Sequence, residues 1–341
     1  MYQHGEARRI LVTGGAGYIG SHVSRALAAS GFLPVAYDNL CHGHAWAVRW
    51  GPLEIGDLQD TARLEVVLRQ HRPLAVIHLA GLIAAGESVG DPTSYYRANV
   101  TGTLSLLDAM RACSVHGVVF SSSAGVYGEP DQLPIAESHP HRPVNPYGAG
   151  KAMCERLLSD YATAYGMRSV ALRYFNAVGA APDAEIGEAH PKETHLVPLV
   201  LDVAAGTRPH IDIYGDDFDT PDGTCIRDYV HVSDLADAHV LALSYLDHSN
   251  GFDAFNLGSE HGASVREVID MAARVTRRPI GIQVKARRPG DPARLVADAS
   301  RAKRLLGWCP GYGTLEQQIA TAWQWHEQYR LVDVRRVVRT R

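Results

Sequence analysis

Cysteine is scarce in this chain. Cys41, Cys113, Cys154, Cys225 and Cys309 are odd in number, scattered and without a C-x-x-C pair. That pattern excludes a disulfide framework and a zinc ribbon, and reads as free thiols in a reducing cytoplasm. Long apolar runs are missing as well. The most apolar stretch, Leu74–Ala85, is interrupted by His78 and falls far short of the ~20 residues of a membrane helix, so no membrane partner is expected. Met1–Arg9, ahead of Ile10-Leu11-Val12, is too short for a signal-peptide core. A basic excess is also absent: Lys+Arg 33 against Asp+Glu 37 leaves a net charge of −4. Nucleic acid, which is bound through phosphate neutralisation, is not an expected partner, and any anionic ligand must find its cations locally. No H-E-x-x-H occurs, and His42/His44 and His139/His141 pair in loop-like sequence, so no metal is expected.

What is present is a globular composition, 46% hydrophobic and 21% charged over 341 residues, long enough for two lobes or one large α/β unit. Short apolar runs alternate with helix-period segments through the first half. Strands are expected at Arg9–Thr13, Leu33–Tyr37, Leu53–Ile55, Ala75–Leu79, Gly117–Ser121 and Ser169–Tyr174. Helices are expected at Tyr18–Ser30, Ala62–Gln70, Thr93–Ala112 and Tyr147–Tyr165. Parallel strands need long crossovers, so this alternation predicts a doubly wound α/β domain with helices on both faces. Beyond Asn176 the alternation weakens. Pro182–Pro191 and Gly215–Gly223 read as loops, and Ser233–Tyr245 as a helix with Ser233 as its N-cap. The expected division is a dinucleotide domain over 1–175, a mainly substrate-holding lobe over 176–330 with segments returning to the first, and a basic tail over 331–341.

Thr13-Gly14-Gly15-Ala16-Gly17-Tyr18-Ile19-Gly20 joins the first strand to the first helix. In that context its glycines allow a tight turn and close approach of backbone to a pyrophosphate at a helix N-terminus. The second strand ends at Asp38, near the ~20-residue spacing at which a carboxylate meets the ribose hydroxyls. A carboxylate there repels a 2′-phosphate and favours NAD over NADP. Asp57 is a candidate for the adenine side.

The fifth strand ends in Ser121-Ser122-Ser123, and Pro146-Tyr147-Gly148-Ala149-Gly150-Lys151 opens a helix. Tyr147 and Lys151 are four residues apart and share a face. A phenol ordinarily titrates near 10, and a cation about 4 Å away contributes about 4 kcal/mol at an effective dielectric of about 20. That is about three pKa units, which predicts Tyr147 as a general base, with Ser123 holding the same substrate oxygen.

These blocks resemble the extended short-chain dehydrogenase/reductase superfamily and, within it, the UDP-sugar 4-epimerases, over roughly residues 8 to 325. Further matching blocks are Gly86-Glu87-Ser88-Val89, Arg173-Tyr174-Phe175-Asn176, Arg227-Asp228-Tyr229-Val230-His231-Val232 and Arg287-Arg288-Pro289-Gly290-Asp291. The resemblance implies a Rossmann domain with a smaller C-terminal lobe, a homodimer, and NAD-dependent interconversion of UDP-galactose and UDP-glucose through a 4-keto sugar. It implies Tyr147, Lys151 and Ser123 as catalytic residues. Gly14, Gly17, Tyr18, Ile19, Gly20, Asp38, Asn39, Leu40, Cys41, His42, Gly43, Asp57, Leu58, Leu79, Ala80, Gly81, Ile83, Asn99 and Phe175 would line NAD. Asn176, His195, Leu196, Asp212, Ile213, Tyr214, Arg227, Arg288, Asp291 and Leu295 would hold the UDP-sugar, the arginines suiting a diphosphate by their planar guanidinium.

Four positions depart from that pattern. Ile83 stands where many relatives carry Lys, Gly125 where Thr is common, His195 where Asn is common, and Leu295 where a Tyr or smaller residue gates the sugar. Ile83 and Leu295 leave UDP-pentoses (UDP-xylose/UDP-arabinose) and N-acetylated UDP-sugars open as substrates. Ala124 and Gly125 lack the carboxylate that elimination chemistry needs. A non-catalytic NAD sensor, the remaining alternative, has no use for the Ser–Tyr–Lys set.

Overall fold

The computed structural model describes residues 8–288 and 290–339, with side chains described as far as Tyr329. Its first half contains β1 (Arg9–Thr13), α1 (Tyr18–Ala29), β2 (Leu33–Asp38), β3 (Leu53–Ile55), α2 (Thr61–His71) and β4 (Ala75–His78). There follow α3 (Ala85–Gly90), α4 (Pro92–Tyr95), α5 (Gly102–Ala112), β5 (Gly117–Ser123), α6 (Pro146–Tyr165) and β6 (Arg168–Tyr174). The second half adds β7 (Asn176–Val178), α7 (Leu196–Ala204), β8 (Ile211–Tyr214), β9 (Ile226–Arg227), β10 (Tyr229–His231) and α8 (Val232–Leu246). It continues through β11 (Phe252–Leu257), β12 (Ala263–Ser264), α9 (Val265–Thr276), β13 (Ile282–Lys285), β14 (Arg294–Leu295), α10 (Ser300–Leu305) and α11 (Leu315–Arg339).

Seven strands form one sheet in the order β11-β6-β5-β4-β1-β2-β3, and every pairing is parallel. The central strands are buried along almost their whole length, as expected of a parallel sheet covered on both faces. On one face, Val23 and Leu27 of α1 meet Leu235 and Ala238 of α8 over Ile10, Val12 and Val170. On the other, Leu64 of α2, Leu106 and Met110 of α5 and Leu158 of α6 pack over Leu11, Val76 and Val118. The chain is therefore a doubly wound α/β protein. A third core, with Val200 and Leu201 of α7, Val268 and Ile269 of α9 and Ile319 of α11, belongs to the second half. The winding order reverses between β1 and β4, as β2 joins one side of β1 and β4 the other, and ligands of such sheets bind outside the carboxyl ends of the strands at that switch point.

Two local expectations are corrected. The helix expected over Thr93–Ala112 is interrupted: Tyr96–Thr101 forms a π-turn between α4 and α5. Such turns cluster at functional sites, and this one directs Asn99 onto the backbone of Leu82. The cap of α8 is not Ser233. His231 is the N-cap, and its ring accepts from the Ser233 backbone N–H. His231 wins because it is fully buried, stacked on Tyr312 at 4.1 Å and bonded to Thr321. The expected basic tail over 331–341 falls on the end of α11, whose side chains from Arg330 onward lie outside the described residues, as do residues 340–341. The leader reading of Met1–Arg9 likewise falls mostly on residues outside those described. No helix among the described residues is long and apolar enough to cross a membrane.

Candidate active site

The glycine loop crosses the end of β1 under tight steric limits. Gly14 has φ +71°, and a Cβ there would stand 2.7 Å from the backbone N of Ala80. A Cβ on Gly20 would stand 2.1 Å from the carbonyl oxygen of Gly14. Gly17 is the N-cap of α1 and supplies no side-chain cap, and the first turn carries no acid. The helix N-terminus thus presents its N–H groups and positive dipole end uncompensated, which fits a pyrophosphate. At the end of β2 the Asp38 carboxylate accepts from Ala16 N–H at 3.0 Å and Leu40 N–H at 2.8 Å. The following loop is tied back by Asn39 donating to Asp57 at 2.8 Å, while Cys41 Sγ lies 3.1 Å from His42 Nδ1. Gly43 packs on Ala16, and Leu58 lies under Gly102. These features fit a dinucleotide. The Asn99 amide bonds Leu82 in both directions, accepting at 2.8 Å and donating at 2.9 Å, so Asn99 shapes the Leu79-Ala80-Gly81 loop from behind. Ile83 is exposed.

The reacting groups come from β5 and α6. Ser123 ends β5, and its Oγ accepts from Gly125 N–H at 3.1 Å. Asn145 caps α6 and Pro146 occupies its first turn, so Tyr147 enters at the helix start. The Tyr147 N–H donates to Ser88 Oγ at 3.2 Å. One turn on, Lys151 is buried and donates to the Ser121 carbonyl at 2.7 Å, its Nζ 5.8 Å from the centre of the Tyr147 ring. Burial pushes the Tyr147 phenol above its ordinary value, opposed by the Ser123 hydroxyl. Burial also lowers Lys151 to about 8, against the pull of Cys154 and Glu155. Where the Tyr147–Lys151 spacing predicts a phenol lowered by a neighbouring cation, burial instead holds it raised.

Behind these residues lies a buried ion pair that the sequence reading did not single out. Arg173 meets both oxygens of Glu155, at 2.9 and 2.6 Å, and Glu155 also accepts from Ser122 Oγ at 2.6 Å. Arg173 further donates to Tyr127 Oη, which donates to Asn256. The network ties the ends of β5, β6 and β11 to α6.

The second half supplies the other set. The Arg227 guanidinium donates to Pro292 O at 2.8 Å and lies 3.7 Å from Asp291. Arg288 stacks on Tyr214 at 3.8 Å from the ring centre. Asp212-Ile213-Tyr214 forms most of β8, which pairs with β13. Leu295 and Phe175 pack together with Ala124 and Tyr127, so the structure brings the β14 strand against the turn that follows Ser123. Asn176 is exposed at the start of β7. His195 caps α7, and Leu196 is its first residue.

The segment ahead of α7 gathers His195, expected at the substrate, with three residues to which the sequence assigns no role. The donor atoms of Glu188, His190, Glu193 and His195 lie within 4.8 Å of one another. Their alternation along one strap, Glu-x-His-x-x-Glu-x-His, was the available sequence signal. His42, His44, His139 and His141 do not belong to this group.

The family model described as NAD dependent epimerase/dehydratase family matches residues 10–258. The chain is 50% identical to UDP-glucose 4-epimerase from Rhizobium meliloti, over 94% of this chain and 97% of that protein. It is similar to the crystal structure of UDP-glucose 4-epimerase from Brucella ovis in complex with NAD, with TM-score 0.91, 51% identity, and 93% and 98% of the two chains covered. It is also similar to the Bifidobacterium longum UDP-glucose 4-epimerase in complex with NAD+ and UDP, with TM-score 0.90, 40% identity, and 94% and 98% covered. The match covers most of the chain, and the chain belongs to the NAD dependent epimerase/dehydratase family.

Proposed function

We infer that this protein is an isomerase that interconverts UDP-galactose and UDP-glucose with NAD as its cofactor. The observation that carries the reading is the convergence of Ser123, Tyr147 and Lys151 on the sheet whose first strand leads into the uncapped N-terminus of α1. Residues 1–175 would mainly hold the dinucleotide, with the Gly14–Gly20 loop at its pyrophosphate, Asp38 at its ribose and the Leu79–Ile83 loop alongside. Residues 176–330 would mainly hold the nucleotide sugar. There Arg227 and Arg288 would meet the diphosphate with His195, and Asp291 the ribose hydroxyls. Bound NAD would accept the hydride from sugar C4 and return it to the opposite face of the 4-keto sugar, and its positive ring would favour phenolate.

The chain's own residues move the proton. Ser123 holds the 4-oxygen by a hydrogen bond, and Tyr147 takes the 4-hydroxyl proton and later gives it back. Lys151 supplies the buried positive charge that stabilises the phenolate. Leu295 and Phe175 wall the sugar side of the pocket. Unpaired thiols at all five cysteines suit a reducing cytoplasm. Exposed Leu104 on α5 and Met153 on α6 offer apolar contacts for a homodimer.

The test uses UDP-galactose deuterated at C4. Redox at that carbon without exchange with water leaves the label at C4 of the UDP-glucose product. Loss of deuterium to solvent would overturn the redox reading in favour of simple deprotonation.

A further inference from the structure

The strap 181–195 crosses between the two halves of the molecule. His44 Nε2 lies 2.6 Å from the Ala189 carbonyl, Trp325 Nε1 donates to the Glu188 carbonyl, and Arg25 pairs with Asp183. On this strap the Glu188 carboxylate is largely buried and sits directly against His195 Nδ1 and 3.2 Å from His190 Nδ1. Glu193 closes the set from the other side, 3.4 Å from His190 and 3.9 Å from His195. The two imidazoles stand edge to face at 5.3 Å, and the Tyr18 ring of α1 meets His190 at 6.4 Å. Outside the cluster, Lys192 is paired with Glu87 and Arg49 with Glu185, so neither cation compensates the two buried acids. His22 of α1 is buried, and Glu188 is among the charges acting on it.

Two adjacent carboxylates cannot both stay ionised in a partly buried loop without compensating positive charge. Among the described residues, the cations that pair with these two acids are the two histidines. We propose that Glu188, backed by Glu193, is a positioning residue that holds His195 and His190 as imidazolium cations at the start of α7, so that the substrate diphosphate meets a fixed positive charge there. This rests on the reading above that His195 faces the diphosphate. Burial opposes the charge on each imidazole, yet the carboxylates hold His190 up at about 10 and raise His195, while the histidines hold Glu188 down at about 2 against its own burial. The His195 side chain is 39% exposed, so it can serve the acid through Nδ1 and still present Nε2 outward, next to the uncompensated N–H groups of α7. A mildly acidic chain thereby gains local cations that a count of Lys and Arg does not register. Two imidazolium ions and two carboxylates sum to zero, as would two neutral imidazoles, two carboxylates and one divalent ion, and the experiment separates these.

NAD-loaded protein carrying Tyr147→Phe, which blocks turnover, is titrated with UDP-glucose by calorimetry from pH 5.5 to 9.5. The diphosphate diester keeps its charge over this range, so changes in affinity report the protein. The parent should hold its affinity past pH 7.5 and lose it only at higher pH. Adding Glu188→Gln should bring that loss down towards the ordinary histidine value near 6.5. It should then bind about tenfold more weakly than the parent at pH 7.5 and within about twofold of it at pH 5.5. Equal weakening at every pH, or no weakening, overturns the proposal. His195→Asn should bind more weakly than the parent at pH 6 and show no pH step. If His195→Asn leaves affinity unchanged, the diphosphate reading itself falls. Imidazole NMR of the unmutated protein guards against misfolding of the variants: a neutral His195 at pH 7.5 overturns the proposal, as does one stoichiometric divalent ion retained in the purified protein.

Discussion

Burial raises the Tyr147 phenol, and the Ser123 hydroxyl opposes that rise. The base is therefore completed by charge beside it, and Lys151 is the buried cation on the same helix face. Tyr147→Phe should cut turnover by a factor of roughly 100 or more, the usual worth of a positioned base, while NAD and UDP affinity stay near normal. Steady-state rates with calorimetric binding check this, and near-normal turnover would remove Tyr147 from the role. These residues were legible in the sequence because each answers a local demand: a strand end for Ser123, a helix start for Tyr147, one further turn for Lys151. The Glu188 cluster was not, since its importance lies in which groups a folded strap brings within 4.8 Å. Asn99 was legible as a pocket neighbour, whereas its clamp on Leu82 depends on a π-turn that no local pattern announces.

At the scale of elements, the β1–α1 turn and the α6–β6 pairing carry the site. A methyl on Gly20 would stand 2.1 Å from the Gly14 carbonyl oxygen, so α1 must lift off the loop. Gly20→Ala should lower NAD content and affinity by at least about tenfold, read from cofactor released on denaturation; a full complement of NAD would show that the loop yields. Arg173 and Glu155 make the opposite kind of demand, being 5% and 3% exposed. Arg173→Met leaves an unpaired buried carboxylate and should cost about 3–5 kcal/mol, whereas Glu155→Leu with Arg173→Met should recover most of that. Denaturant midpoints of the three proteins decide it, and equal loss in single and double variants would contradict the pairing. The sheet was readable because parallel strands are continuous apolar runs. The cap of α8 was not, because His231 takes that position through its burial against Tyr312, far along the chain.

For the whole molecule, the internal histidines set the response to acid. His22, His78, His231 and His239 are buried, and burial holds them at about 4, 3, 3 and 4. Their unfolded value is near 6.5, so between pH 6.5 and these values the unfolded chain binds more protons, and stability falls as pH falls. At pH 5.5 each costs ~1.4 kcal/mol relative to neutral pH. His190 and His195 are shifted upwards and gain stability over the same interval, offsetting part of that loss. A net loss of stability between pH 7.5 and 5.5 is expected, visible as a lower urea midpoint at fixed NAD; an unchanged or higher midpoint would contradict the assignment of these four as neutral. The net charge of −4 is a sum over the whole chain, and on the proposed reading both anionic ligands would be met by local groups: the α1 N-terminus for one diphosphate, and Arg227, Arg288 and the His195 cluster for the other.

The most direct measurement is conversion of UDP-galactose by the purified protein with no NAD added. Retained cofactor and a closed redox cycle should give the equilibrium mixture with UDP-glucose and no accumulating NADH. Stoichiometric NADH formation dependent on added NAD, or no conversion by protein that carries NAD, would contradict it.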